Sequence, residues 1–573
     1  MKRLLFVLFI GITGLGFGQE PTFDWGISIN AAAVVDSDNV YYGHDFDISN
    51  NSEIYLVGQF FDSISFDNDQ SFLFSDGGGG FITKFDESGI FQWSKQISTS
   101  SNGRINNMQL KVASDGNLFI MGTFETVVGI SASAYINTDN PNQNIITHTP
   151  NENASVFLVC LDSSGNFLWS RDFSIQEPAS GFSVALSSFH LSNDNKITIT
   201  ADVGKDAGGT LYFGGQPLYL PWEYYSSVIL TTDILGNVLW FKYFEDEHSV
   251  MHDFLQRSPF LNPENFFDNQ IICWGAVDPN QDVEPDPNSQ VFISDSLITA
   301  NEYGKSVILI FSEDGTLVNH YKFEQTPTPV GAENEYSQAS TIIGALDVTN
   351  DFLLAYFSSL IFSPNSSLVD VDLSPDTNYI SLNGSNGFII KYDNNMNELW
   401  SKEISGMQGL FNNGNKIFTE IILKDDRTFF RGNSSTNTNY NNTYDICTNE
   451  CGFLIEINSD GELIWSKNFE ANLVGLKYLN GDFYLFLYSN NTVIDLNPDN
   501  GTYFSTNYGA MNYHIVKLSS DGTSNLTELN SNQSKELIKI VNLLGQEVEY
   551  IPNTVLIYQY SDGTSEKVFT IED

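Results

Sequence analysis

Between residues 81 and 98 the chain alternates apolar and polar positions twice, with a turn between. Residues 81–85 alternate, Asp86-Glu-Ser-Gly89 supplies a side-chain acceptor and a residue that tolerates positive φ, and residues 91–97 alternate again with Trp93 on the apolar face. A period of two on both sides of a short polar turn predicts an antiparallel hairpin.

The stretch recurs along the chain. The second copy runs Val156-Phe-Leu-Val-Cys-Leu-Asp162, with Gly165, Trp169 and Arg171. The third has Val228-Ile-Leu, Asp233, Gly236, Trp240 and Lys242. The fourth keeps Asp314-Gly315 but puts Asn319 in the Trp place. The fifth has Asp393, Met396 in the Gly place and Trp400-Ser-Lys402; the sixth has Asp460-Gly461 and Trp465-Ser-Lys467. Successive Trp places are 76, 71, 79, 81 and 65 residues apart, which is room for more than one hairpin. A second pattern of strand, Asn/Asp/Gly turn and strand does fall in the intervals, as at Asp115-Gly116-Asn117 and Asn480-Gly481-Asp482. One period is therefore four antiparallel strands, the content of a propeller blade.

The two ends of the array are complementary. Phe23-Asp-Trp25-Gly-Ile-Ser-Ile29 matches the Trp-bearing strand and has no partner before it. The seventh copy, His514-Ile-Val-Lys-Leu-Ser-Ser-Asp-Gly522, has the first strand and turn and no Trp strand after it. Pairing residues 22–29 with the strand ending near Leu518 closes a ring and removes its open edges. Counting Trp25, Trp93, Trp169, Trp240, Asn319, Trp400 and Trp465 gives seven blades over residues 19–522. The expected fold class is all-β, a seven-bladed β-propeller of four-stranded blades closed by the N-terminal strand.

Hairpins of the form Phe-Ile-x-Lys-x-Asp-x-x-Gly-x-x-x-Trp-Ser-Lys resemble bacterial secreted β-propeller repeats. They are also similar to the tryptophan-docking repeats of pyrroloquinoline-quinone-type propellers. The resemblance covers most of the chain and implies the fold, while the repeats themselves serve many functions.

After Gly522 the pattern changes. Residues 523–534 form a polar linker, and residues 535–573 read as a small β-sandwich of short strands. Leu544-Gly-Gln-Glu547, Pro552-Asn-Thr554, Ile557-Tyr558 and the closing Lys567-Val-Phe-Thr-Ile571 resemble the type A sorting domain of the type IX secretion system. That resemblance implies the secretion machinery as a partner, with the tail removed or replaced by a surface anchor. It agrees with residues 1–18, a signal peptide built of Lys2-Arg3, an apolar core and Gly16-Phe-Gly18. The expected location is secreted, extracellular or on the outer-membrane surface. No later apolar run is long enough to span a membrane as a helix.

Composition narrows the function. With 25 basic and 71 acidic residues the net charge is −46, which repels phosphate backbones and excludes nucleic acid as a partner. Four cysteines are few: Cys160 and Cys273 read as buried thiols inside strands, while Cys447 and Cys451 share a polar loop and could pair locally.

Candidate chemistry is sparse. The six tryptophans are placed for packing between blades rather than as a sugar platform. Asp372-Leu-Ser-Pro-Asp376 and Asp495-Leu-Asn-Pro-Asp499 offer oxygens to Ca²⁺ but lack the alternating acidic spacing of a calcium loop, so turn chemistry accounts for them better. The proline-rich run from Asp278 to Asp286 reads as an exposed insertion. His248 and His252 are four apart, without a general base at the motif spacing. No nucleophile elbow or phosphate loop is present, so no catalytic, cofactor or metal residue is assigned. Three readings follow: a binding module for a glycan or protein ligand, a polymer-degrading hydrolase or lyase with carboxylates at the channel, or a structural surface-layer or adhesin role. The second requires two or more buried, perturbed acids in one funnel.

Overall fold

The computed structural model describes residues 20–569 apart from a set of loops, of which 33–44, 246–261, 278–304, 323–336 and 520–536 are the longest. The chain divides into two compact units, Met1–Ser520 and Asp521–Asp573. Among the described residues every regular element is a β-strand.

Within the larger unit the strands form a succession of antiparallel four-strand meanders, seven among the described residues, numbered here by their order. The first holds Asp45–Ile48, Ile54–Ser65, Phe72–Phe85 and Phe91–Thr99. The second holds Gly103–Val112, Leu118–Thr126, Glu152–Leu161 and Phe167–Gln176. The third, fourth, fifth and sixth repeat the order and end on Val238–Glu245, Leu317–Lys322, Glu398–Met407 and Leu463–Phe469. The seventh takes Asn472–Leu479, Asp482–Ser489 and Met511–Ser519 and is completed by Thr22–Ala32. That last pairing runs from Thr22↔Ser519 to Ala31↔Met511, so the first strand of the chain fills the place left vacant at the end of the array.

The first strands of the meanders lie side by side. Asp45–Ile48 touches Gly103–Val112, which touches Phe182–Leu191, and the series continues through Asn262–Phe266, Ser337–Asp347 and Glu420–Lys424 to Asn472–Leu479, which returns to Asp45–Ile48. The hydrophobic cores sit between consecutive meanders rather than inside one sheet. Tyr55, Val57 and Ile82 of the first pack with Ile105, Ile120 and Val159 of the second, and Phe429 and Leu454 of the sixth with Phe483 and Leu485 of the seventh. A sheet buried on both faces reads as near-continuous apolar strands, as in Cys451–Ile457, buried along its whole length.

The connections of varying length between second and third strands have a common place. In the second meander that connection forms the hairpin Ala132–Ile136 with Gln143–His148, which adds to the outer strand of the first through Ile97↔Ile136. In the third, Thr210–Phe213 and Gln216–Leu218 add to the outer strand of the second through Phe173↔Phe213. The sixth reaches back to the fifth through Ile404↔Tyr440, and residues 63–65 of the first reach the closing strand through Asn30↔Ser65. Each insertion covers the edge of the preceding sheet, which would otherwise expose unpaired backbone groups.

The smaller unit holds Leu537–Val541, Val555–Tyr560 and Ser565–Phe569 as one antiparallel sheet with Val555–Tyr560 in the middle. The sequence pattern predicts a small sandwich; the described strands form a single layer. Residues 1–18 and the linker 523–534 lie outside the described residues.

Candidate functional site

Three of the third-to-fourth strand turns are built the same way. Asp86 Oδ1 accepts the N–H groups of Ser88 and Ile90, at 3.0 and 2.9 Å; Asp162 does so for Ser164 and Asn166, and Asp233 for Leu235 and Asn237. Burial pushes the Asp162 carboxyl up, but the hydrogen bonds from Asn166 and Ser164 outweigh it and hold the group below its ordinary range. The turn glycines take positive φ, 76° at Gly89 and 80° at Gly315, where an L side chain is strained.

These glycines receive the tryptophans of the preceding meander. A Cβ built on Gly89 would stand 3.0 Å from Trp25 Cζ3, one on Gly165 3.0 Å from Trp93 Cη2, and one on Gly236 3.0 Å from Trp169 Cζ3. On Gly315 it would stand 2.7 Å from Trp240 Cε3, and on Gly461 2.9 Å from Trp400 Cδ2. The indole N–H of Trp240 donates to the Glu313 carbonyl at 2.7 Å, and that of Trp400 to the Ser459 carbonyl at 2.8 Å, both in the receiving turn. Trp93 Nε1 is buried without a partner, while Lys84 Nζ reaches the Ser163 carbonyl at 3.4 Å. In every copy the ladder shifts register at the residue before the Trp place, as between Thr231↔Trp240 and Thr232↔Val238. The bulge turns that preceding residue outward, which explains the exposure of Leu168, Leu239, Val318 and Leu399.

Trp465 is placed differently. It is buried, its Nε1 donates to Glu456, and its ring meets Phe483 of the seventh meander edge-on with centroids 5.9 Å apart. Glu456 stands where the first and fifth copies have Lys84 and Lys391, and its carboxylate also takes a bidentate pair from Arg427, at 2.6 and 2.7 Å.

The first strands bring together groups that the repeat pattern does not mark. Asp45 Oδ1 accepts the Phe46 N–H at 2.9 Å and its Oδ2 the Leu110 N–H at 2.9 Å. Asp47 Oδ2 accepts the Val112 N–H at 2.8 Å, and its Oδ1 lies 3.3 Å from Lys477 Nζ. Gln109 Oε1 accepts the Phe189 N–H at 3.1 Å. Lys111 and Lys477 both act electrostatically on Asp45 and on His190, so four neighbouring first strands converge here. Burial pushes the Asp45 carboxyl above its ordinary range, and the two lysines offset part of the rise. Burial, followed by the same lysines, pulls the His190 imidazole down to about 3, so it is neutral at physiological pH. Asp47, Lys111, His190 and Lys477 stand at one register place of four first strands, opposite Tyr55, Phe119, Thr198 and Tyr484, and because the residue type changes from copy to copy no repeat pattern marks them.

The remaining sequence candidates are placed as follows. Asp495 Oδ1 accepts from the N–H groups of Asn497 and Tyr503, at 3.0 and 2.8 Å, and Asp499 takes Lys467 and the Phe23 N–H. Their oxygens are committed to a turn and to the closing strand. His248, His252, Asp278 to Asp286, Asp372, Asp376 and Met396 lie outside the described residues. Cys447 and Cys451 form a disulfide, and Cys160 and Cys273 are buried thiols. Among the described residues no three His, Cys, Asp or Glu side chains gather as a metal site, and no helix is long and apolar enough to cross a membrane.

No family model matches the chain, and no curated protein matches it in sequence. Solved structures that it is similar to include BamB from Moraxella catarrhalis, at 9% identity and TM-score 0.28, over 74% of this chain and 99% of that one. The phage phi92 endosialidase matches at 10% identity and TM-score 0.30, over 96% and 75%. The rhamnogalacturonan lyase YesW matches at 11% identity and TM-score 0.29, over 95% and 91%. At these TM-scores the likenesses carry no argument about the chemistry of this chain.

Proposed function

We propose that the chain is an exported seven-bladed β-propeller that acts as a binding module, its ligand held where the first strands converge. The observation that carries the reading is the set Asp45, Asp47, Gln109, Lys111, His190 and Lys477: polar and charged groups from four neighbouring first strands meet there. The seven meanders whose first strands touch in a closed series support the ring. In it Trp25, Trp93, Trp169, Trp240, Trp400 and Trp465 are packing residues between blades, not ligand contacts.

The hydrolase or lyase reading needs a pair of perturbed acids. Among the described residues Asp45 is the one carboxylate raised above its ordinary range, and both its oxygens are engaged by backbone donors. Export through the type IX secretion system by residues 535–573 is part of the same proposal, resting on the tail motif; a Cys447–Cys451 disulfide suits an oxidising compartment. Glycan and peptide arrays probed with protein lacking residues 1–18 and the tail test the reading. Retention of a defined ligand with no turnover is expected; hydrolysis or elimination of a polysaccharide would replace it with the enzyme reading. A reporter fused to residues 535–573 should reach the surface of a host with that secretion system and stay periplasmic without it.

A further inference from the structure

We infer that the Cys447–Cys451 disulfide is a redox lock on a strap that the sixth meander lays across the fifth, so that reduction frees the strap and bares the sheet edge beneath it. The second strand of the sixth meander, Arg427–Tyr440, belongs to two sheets. Residues 428–434 pair with Cys451–Ile457 inside the meander, from Thr428↔Ile457 to Ser434↔Cys451. Residues 439 and 440 leave it for Glu398–Met407, the outer strand of the fifth, through Ser405↔Asn439 and Ile404↔Tyr440. The chain turns at Asn441 and Asn442, both at positive φ, and Tyr444–Cys447 comes back through Tyr440↔Tyr444 and Thr438↔Cys447. Cys447 ends this return and Cys451 opens the third strand, so the bridge fastens the strap at its root.

The strap is built into the junction that it covers. The Tyr440 hydroxyl donates to the Gly461 carbonyl at 2.8 Å, on the glycine that receives Trp400. The Asn441 N–H donates to the Glu403 carbonyl at 2.7 Å, and Asn442 Nδ2 to Glu403 Oε2 at 2.8 Å. Tyr440, Ile446, Cys447 and Cys451 are buried in one core with Ile404 and Phe453, and Trp400 packs against it. Its ladder on the neighbouring sheet is nevertheless short. The insertions of the first, second and third meanders hold the preceding strand through three, three and four successive pairs. The strap has two, Ile404↔Tyr440 and Ser405↔Asn439, before the register breaks. Of these four insertions, the one with the shortest ladder carries the covalent fastening. The bridge spans a sequence separation of 4, so it removes little entropy from the unfolded chain and its effect is local. Release follows thiol–disulfide exchange: a dithiol attacks one sulfur, its second thiol displaces the mixed disulfide, and it leaves as a cyclic disulfide while Cys447 and Cys451 take up its two electrons and two protons. Both cysteines are buried, so the exchange proceeds from the open strap. With the strap off, residues 404 and 405 lose their partners and Glu398–Met407 becomes an exposed edge.

Hydrogen exchange of the intact protein before and after dithiothreitol tests this, with iodoacetamide mapping to show that Cys447 and Cys451 have been reduced. Peptides covering residues 438–447 and 403–407 should exchange about tenfold faster or more in the reduced protein, while residues 483–487 keep their rate. Where the buried bridge resists the reductant, Cys447→Ser with Cys451→Ser supplies the open state directly, and its melting temperature should stay within a few degrees of the parent. A reduced protein or double variant whose strap exchanges as slowly as the parent's overturns the inference. So does one in which residues 483–487 speed up as much as the strap, since the bridge would then hold the whole fold. Finding both thiols free in untreated protein whose strap is protected would overturn it as well.

Discussion

Two junctions between neighbouring meanders differ in one respect. Between the third and fourth, Trp240 lies on Gly315 and its indole N–H bonds the Glu313 carbonyl. Between the fourth and fifth, Asn319 stands in the Trp place and Met396 in the Gly place. The register shift that aims the Trp is kept at Asn319, between Ile310↔Asn319 and Phe311↔Leu317, so the backbone of the dock is present without its ring. The two departures fall on the same junction and are complementary. At Gly315 a side chain would occupy the volume the Trp240 indole fills.

Four changes to the chain test these junctions and the closing strand. The largest effect is expected from deleting residues 22–29, which strips Met511–Ser519 of a partner and exposes an edge. The truncated protein should aggregate or lose its cooperative melt, and a melt unchanged from the parent would contradict the closure. Next, Gly315→Ala should destabilise by about 3 kcal/mol, combining positive-φ strain with collision against Trp240. Chemical denaturation reads it, and a cost as small as that of an exposed Gly→Ala would mean the dock is loose.

Acid should weaken the closing strand in particular. His514 is fully buried on Met511–Ser519, with Nδ1 2.7 Å from Ser28 Oγ on Thr22–Ala32 and Nε2 without a partner. Burial lowers it to about 4, below its ordinary 6.5. Between those values the unfolded chain binds the extra proton, so the contribution is complete above pH 6.5 and is lost as pH falls toward 4. The loss by pH 4.5 is about 2 kcal/mol. Stability of His514→Gln, measured against the parent from pH 7 to 4.5, should therefore fall less steeply; parallel curves would place the acid sensitivity elsewhere. The smallest effect is the most pointed. Asn319→Trp with Met396→Gly should stabilise by about 1 kcal/mol, while either change alone gains nothing. An additive double-mutant cycle would show that the two places do not meet.

Much of this was legible in the sequence, and for a physical reason. Hairpin periodicity, the Asp-x-x-Gly turn and the Trp place recur because every junction buries the same contact. The vacant last strand was legible because the array is finite and its missing half stands at the other end. The edge-covering insertions, such as Ala132–Ile136 with Gln143–His148, were not, since their pairing partner belongs to the preceding meander and no local period marks it. Loops that differ between copies therefore read as sites for function, whereas four of them cover sheet edges. The first-strand set was illegible because the one register place shared by Asp47, Lys111, His190 and Lys477 carries a different kind of residue from copy to copy, and the other three copies do not keep a charge there. Trp465 shows the limit from the other side: its place in the repeat is kept while Glu456 and Phe483 give it different partners.

Hydrogen exchange of the intact protein tests the central claim most directly. If Thr22–Ala32 closes the seventh meander, the amides of residues 26–30 should exchange as slowly as those of residues 483–487 on Asp482–Ser489, within about tenfold. Exchange of residues 26–30 at the rate of an unstructured chain, with residues 483–487 protected, would contradict the closed ring.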